Sequence, residues 1–292
     1  MFKQALAFFQ IVCCVLLLQT LFPITASAYS QPPAASPTPA AAKLLYAPIL
    51  LYHHVGNPRA GRFNVTVDHF RAQMQWLHDN GYVSVSVDQI AAALRGEGEL
   101  PPKPVAITFD DGWKDQLNNA VPILNEFGYI ATFYIVGRWA NSESPLTMNW
   151  KDVQGLRAQG YWIAAHSLSH KTETRLKPAA LWQEIIGGRD LIAHAISETA
   201  TTHAYPSGAV NTYVENMVRK AGYTAAVSVP SNCKQWASGV LRLNRIEVRN
   251  AYSLDAFAGW LTCKPLPVPP GARPLPIVSL PISLPRVSID SQ

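Results

Sequence analysis

Nowhere in this chain of 292 residues do lysine and arginine cluster. The 24 Lys and Arg against 19 Asp and Glu leave a formal net charge of +5, and scattered basic residues give nucleic acid no electrostatic footprint. Cysteine is also scarce, at four residues. Cys13 and Cys14 lie in the leading apolar stretch, without the small-residue context of a lipoprotein signal. Cys233 and Cys263 are too few and too far apart for a zinc site of their own; they read as one disulfide of an exported protein, or as two free or buried thiols.

One apolar stretch approaches membrane-spanning length, from Ala5 to Phe22. Lys3 precedes it and Ala26-Ser27-Ala28 follows, the pattern of a secretory signal peptide over residues 1–28. An uncleaved anchor helix is the alternative, because the stretch is near the lower length limit for a span; after cleavage no stable span remains. Residues 29–43 form a Pro/Ala-rich linker, uncharged from Gln31 to Ala42, and the proline density of 264–292 blocks both helix and ladder, so this C-terminal segment reads as an extended tail. Between them, with 48% hydrophobic residues in the whole chain, residues 44–263 hold material for one large core.

Within that region strand-like and helix-like segments alternate. Strands are predicted at Ile49–His53, Tyr82–Val85, Val105–Phe109, Thr132–Val136, Trp162–Ala165, Thr202–Tyr205, Tyr223–Val227 and Leu243–Val248. Helices are predicted at Val67–Asn80, Asp88–Arg95, Val121–Phe127, Trp150–Gln159, Pro178 to about Ser197, and Val210–Ala221. Repeated right-handed βα units imply an α/β fold: a distorted (β/α) barrel of about seven parallel strands, with an open doubly wound sheet as the alternative.

The chemistry sits at the predicted strand ends. Asp110-Asp111-Gly112 closes the strand Val105–Phe109 as a turn, and His166-Ser167-Leu168-Ser169-His170 follows the strand Trp162–Ala165. Asp-Asp-Gly alone is common in turns, and two histidines four apart commonly mark an exposed helix face. Together, at the C-terminal ends of barrel strands, they describe metal-assisted hydrolysis: Asp111 with His166 and His170 as ligands and Asp110 as the neighbouring base. The four-residue spacing brings both imidazoles to one point if a helical turn begins there.

These motifs resemble those of the polysaccharide deacetylases that share the NodB homology domain, carbohydrate esterase family 4. Thr108-Phe109-Asp110-Asp111-Gly112 is similar to that family's first motif, His166 to His170 to its second, and Ala204-Tyr205-Pro206-Ser207-Gly208 to its third. The resemblance extends over about residues 48 to 250. The opening Tyr52-His53-His54-Val55 is like the branch that deacetylates poly-N-acetylglucosamine. It implies a divalent metal, usually zinc, on Asp111, His166 and His170, with Co2+, Ni2+ or Fe2+ as alternatives. It also implies Asp110 as general base, and an oxyanion donor in the Pro206-Ser207 turn.

Two departures shape the remaining assignments. Relatives commonly use a histidine near the domain's C-terminal end as acid, and this chain has none after His203, so His53 is assigned that role with His54 as alternate; neighbours on a strand face opposite ways, so only one should enter the site and the other should pack under the barrel. Many relatives carry an arginine where Ala204 stands, and Arg245 is the candidate substitute beside Asp110. Trp113, with Trp139, is expected to offer sugars a stacking platform, while Trp76, Trp150, Trp182 and Trp260 belong to the barrel–helix interface.

The expected protein is therefore an exported, periplasmic or extracellular, metal-dependent hydrolase removing N-acetyl groups from an amino-sugar polymer such as poly-N-acetylglucosamine, chitin or peptidoglycan. An O-acetyl polysaccharide esterase uses the same site, and a catalytically weak glycan-binding module is the reading from another class.

Overall fold

The computed structural model describes residues 43–142 and 144–262. The expected signal peptide, the linker up to Ala42, the proline-rich tail and Cys263 lie outside the described residues. No helix among the described residues is long and apolar enough to cross a membrane.

Seven strands build the core sheet: β1 Ile49–Tyr52, β2 Pro104–Phe109, β3 Thr132–Ile135, β4 Trp162–Ala165, β5 Thr202–Ala204, β6 Ala225–Val227 and β7 Ile246–Glu247. All pair in parallel, in the order β6-β5-β4-β3-β2-β1-β7. A doubly wound sheet reverses its strand order midway; this one does not. Val227 also bridges to Leu243, just ahead of β7, which brings the two sheet edges together in a distorted barrel. Val83–Ser84 pairs parallel with the start of β2.

The helices are α1 Val67–Asp79, α2 Val87–Arg95, α3 Val121–Phe127, α4 Gly137–Ala140, α5 Trp150–Ala158, α6 Pro178–Ile196, α7 Thr212–Lys220 and α8 Leu254–Leu261. Local chemistry sets their ends. Ser86 and Gln89 form a capping box at the start of α2, Asn149 and Asp152 another at α5, and Gly96 and Gly128 take left-handed caps after α2 and α3.

Two apolar clusters occupy the two faces of the sheet. Outside, Leu50, Tyr52, Ile107, Phe109, Phe133 and Ile135 pack against α1, α3 and α5 to α8, with Trp76, Trp150, Trp182 and Trp260 at the margins. Inside, Ile49, Ala106, Tyr134, Ala164, Ala204, Ala225 and Val227 join Val87, Ile90, Ala91 and Leu94 of α2, which plugs the barrel. The strands alternate as a pleat requires. Small inner residues leave space that Tyr134 and the fully buried Arg245 fill, the guanidinium 5.6 Å from the Tyr134 ring centroid.

Some elements departed from expectation. The last strand is Ile246–Glu247 rather than Leu243–Val248, because Leu243 makes only the single bridge to Val227. Leu44–Tyr46 and Lys234–Trp236 form an antiparallel pair, a long-range contact no local pattern announces. A π turn, Gln116–Ala120, precedes α3.

Candidate active site and metal centre

The inward rows of the barrel strands run directly into the site. Asp110 continues the row of Ala106 and Thr108, His166 that of Ala164, Arg245 that of Leu243, and His53 that of Ile49. Period-two alternation therefore carries all four onto the barrel's C-terminal mouth. Asp110, His166 and His53 line one cleft of about 690 Å³, together with Asp111, Trp113, His170, Ser207 and Gly208. Arg245 lies beneath, against Asp110.

Asp110 is 2% exposed, and Arg245 grips it from both guanidinium nitrogens at 2.7 Å each. Arg245 also donates to the Ser228 carbonyl at 3.0 Å. Burial alone would raise the Asp110 carboxyl; the Arg245 guanidinium, with His166, outweighs it and holds the pKa below the usual carboxylate value.

Asp111, His166 and His170 converge as well: one donor atom from each lies within 4.8 Å of the others. The convergence is not helical. Asp111, Ser167 and His170 have φ of 78°, 62° and 60°, so a loop with left-handed residues, not a helical turn, aims the two imidazoles. Ser167 Oγ accepts the His170 N–H at 2.9 Å, and His166 Nδ1 faces the Ala204 carbonyl at 2.8 Å, which turns Nε2 toward the cleft. Asp111 Oδ1 lies 3.4 Å from His166 Nε2 and 3.3 Å from His170 Nε2, is buried, and has no hydrogen-bond partner.

That orphaned oxygen tests whether a metal fits. Burying an unsatisfied carboxylate oxygen is costly, and Arg245 is already committed to Asp110. The Asp111 charge is left facing two imidazole nitrogens, a one-carboxylate, two-imidazole donor set suited to a divalent transition metal. Burial would raise the Asp111 pKa, but the neighbouring His166, with His53 and His170, outweighs that and depresses it. The site is built to keep this carboxyl ionised.

The two opening histidines do not divide as expected. His54 opens a separate short strand, His54–Val55, paired with Asn64–Val65, so the alternation that places His53 does not extend to it, and both His53 and His54 line the cleft rather than one packing under the barrel. Their environments differ. His54 Nδ1 is 2.6 Å from Asp115 Oδ2 and its ring stacks on Trp113 at 4.5 Å. His53 packs on Phe63 at 4.9 Å, and among the described residues its ring nitrogens make no hydrogen bond. Burial lowers the His53 pKa, opposed by the Asp110 and Asp111 charges, which do not make up the difference.

Trp113 is less free than a stacking platform requires. Its indole N–H donates to Asp111 Oδ2 at 2.9 Å, His54 covers one face, and Trp139 packs against it at 5.2 Å. Pro206-Ser207-Gly208 forms a tight turn at the cleft with Ser207 at φ 58°. Gly208 has φ +66°, and a Cβ there would run into Val229. Its N–H goes to the Tyr205 carbonyl at 2.8 Å and that of Ala209 to Pro206 at 3.3 Å, which leaves the Ser207 N–H as the turn's available donor. Cys233 is disulfide-bonded; Cys263 lies outside the described residues.

Sequence reasoning missed several supports. Buried Glu184 on α6 accepts from the Ser169 N–H at 2.7 Å and hydroxyl at 2.5 Å, and its carbonyl takes the Leu168 N–H at 2.9 Å. Gly188 lets the helix approach: a Cβ there would stand 2.5 Å from the Ser167 carbonyl oxygen. Gln116 donates to the carbonyls of both His53 and Asp110 at 2.6 Å, tying the ends of β1 and β2. Proximity to Asp-Asp-Gly was the one available signal for Gln116; none existed for Glu184.

The comparisons with known proteins agree with this geometry. The family model described as polysaccharide deacetylase matches residues 97–226. The Bacillus subtilis (strain 168) protein named "Putative polysaccharide deacetylase YxkH" is 29% identical over 214 residues, covering 73% of this chain and 75% of that protein. The poly-beta-1,6-N-acetyl-D-glucosamine N-deacetylase of Escherichia coli (strain K12) is 35% identical over 103 residues, which make up 35% of this chain but only 15% of that enzyme. The solved structure of Streptococcus pyogenes deacetylase PplD in complex with acetate matches with a TM-score of 0.70 and 25% identity, over 76% of this chain and 100% of that one.

Proposed function

We propose that this chain, which belongs to the polysaccharide deacetylase family, is an exported metal-dependent hydrolase that removes N-acetyl groups from an amino-sugar polymer. One observation carries the reading: Asp110 gripped by Arg245 stands beside Asp111, His166 and His170, whose donor atoms converge around an unsatisfied carboxylate oxygen. Export rests on the leader at residues 1–28, and the polymer class on the activity named for the E. coli relative.

Asp111, His166 and His170 would hold a divalent cation, zinc first by its donor set, and that cation supplies Lewis acidity to an acetamide carbonyl and to a water. Asp110, kept ionised and oriented by Arg245, accepts the water's proton. The Ser207 N–H donates to the oxygen on which charge develops as the carbonyl becomes tetrahedral. The amine leaves only with a proton, and His53 is the acid, being the cleft histidine whose ring is not committed to a carboxylate.

The lowered pKa of His53 favours a second reading, an O-acetyl esterase, since an alkoxide leaving group needs less acid assistance than an amine. Acetate release from N-acetylglucosamine oligomers, beside O-acetylated xylan, separates the two, with Asp110→Asn as control. Release from the oligomers, abolished by the substitution, supports the amidohydrolase; release from xylan alone moves the assignment to the esterase.

A further inference from the structure

The two oxygens of Asp111 meet different fates. Oδ2 accepts the Trp113 indole N–H at 2.9 Å, while Oδ1 is buried without a hydrogen bond, facing the Nε2 atoms of His166 and His170. A carboxylate free to turn about its Cβ–Cγ bond can offer a cation one oxygen or both. Here one oxygen is already engaged.

The indole that engages it is itself held. His54 stacks on the ring at 4.5 Å and 28°, Trp139 packs on it at 5.2 Å, and the Trp113 backbone bridges to Thr147. His54 is fixed in turn, Nδ1 lying 2.6 Å from Asp115 Oδ2, while Asp115 Oδ1 accepts the Val55 N–H at 3.1 Å. Asp115, His54 and Trp113 thus form a chain of contacts that ends on the back of the metal-ligating carboxylate.

We propose that Trp113 is a positioning residue for the metal centre: its indole N–H occupies Oδ2 of Asp111, so that the carboxylate presents Oδ1 alone to the cation. The inference rests on the metal reading above. Three single-atom donors leave open positions on a four- to five-coordinate metal for a substrate carbonyl and a water, and a carboxylate binding through both oxygens would consume one of them. Outer hydrogen bonds of this kind usually govern metal affinity by about 10- to 100-fold. The role is distinct from sugar stacking, because it requires the N–H and not the ring face.

The test loads the full-length chain with Co2+ and compares it with Trp113→Phe, which keeps an aromatic ring between His54 and Trp139 but has no N–H. Trp76→Phe, a loss of an indole at the α1–α8 contact, is the control. The expected result is a Co2+ dissociation constant about 10- to 100-fold higher for Trp113→Phe, with weaker visible bands as Asp111 binds through both oxygens and the coordination number rises. The metal-free melting temperature should stay close to that of the unaltered chain. Trp113→Tyr reads the same quantities if the Phe variant loses its cooperative melt. A Trp113→Phe dissociation constant and spectrum matching the unaltered chain would overturn the positioning role while leaving the metal site standing. Failure of the unaltered chain to bind Co2+ would overturn both.

Discussion

Replacing Arg245 by methionine removes a cation from the barrel interior and leaves Asp110 alone there. The side chain is fully buried and makes four polar contacts: two at 2.7 Å to Asp110, one at 3.0 Å to the Ser228 carbonyl and one at 3.4 Å to Thr108 Oγ1. Stranding one partner of a buried ion pair costs about 3–5 kcal/mol. An independent bound gives the same scale. The stranded carboxyl can escape by taking up a proton, which at pH 7, three units above an unfolded pKa of about 3.9, costs about 4 kcal/mol. In the variant, burial raises Asp110 with the Arg245 cation gone and only the neighbouring histidines left to oppose it, so its penalty exists above the unfolded pKa and disappears as pH falls to about 4. In the unaltered chain Asp110 is depressed, so its stabilisation is present above the unfolded pKa and is lost as pH falls through the lower folded value. The stability gap between the two proteins must therefore narrow toward acid. Urea unfolding of both proteins with chelator present, at pH 7.5 and pH 4.5, measures this without interference from metal affinity. A gap under about 1 kcal/mol at pH 7.5, or one that widens at pH 4.5, would refute the account of Arg245.

Three further substitutions probe the supports of the site. Glu184→Ala removes both acceptors from Ser169 and should cost about 3 kcal/mol in urea unfolding while raising the metal dissociation constant; unchanged metal binding would show that the loop carrying His170 does not depend on it. Gly188→Ala forces a methyl against the Ser167 carbonyl and should cost about 1–3 kcal/mol, read as a lower melting temperature; an unchanged melt would mean that the helix moves away freely. Gly208→Ala strains a left-handed residue against Val229 in the turn that offers the Ser207 N–H, so acetate release should slow through kcat more than KM, and a pure KM effect would remove the turn from the chemistry.

Asp110, Asp111, His166 and His170 were legible because each follows a strand whose apolar run ends abruptly, and parallel strands in a barrel deliver their C-terminal ends to one face. Arg245 was legible only through the resemblance, since many relatives carry an arginine where Ala204 stands and Arg245, at the end of the last strand, was the candidate substitute. The mechanism of the histidine pair was misread, since a four-residue separation suits a helical turn and a left-handed loop alike, and Ser167 and His170 adopt the loop. His54 was misplaced because strand alternation was extended two residues past the last position of that strand, Tyr52. Glu184, and the bond from Trp113 to Asp111, depend on tertiary placement of α6 and on a ring orientation, neither of which leaves a local pattern.

The central claim is that a single cation held by Asp111, His166 and His170 serves the release of acetate from an amino-sugar polymer. Chelator-stripped full-length chain, titrated with Zn2+ while acetate from N-acetylglucosamine oligomers is measured, tests it most directly. The account predicts no release without metal, and release that rises linearly with added Zn2+ and breaks at one equivalent per chain. Release that persists undiminished in the stripped protein would contradict it.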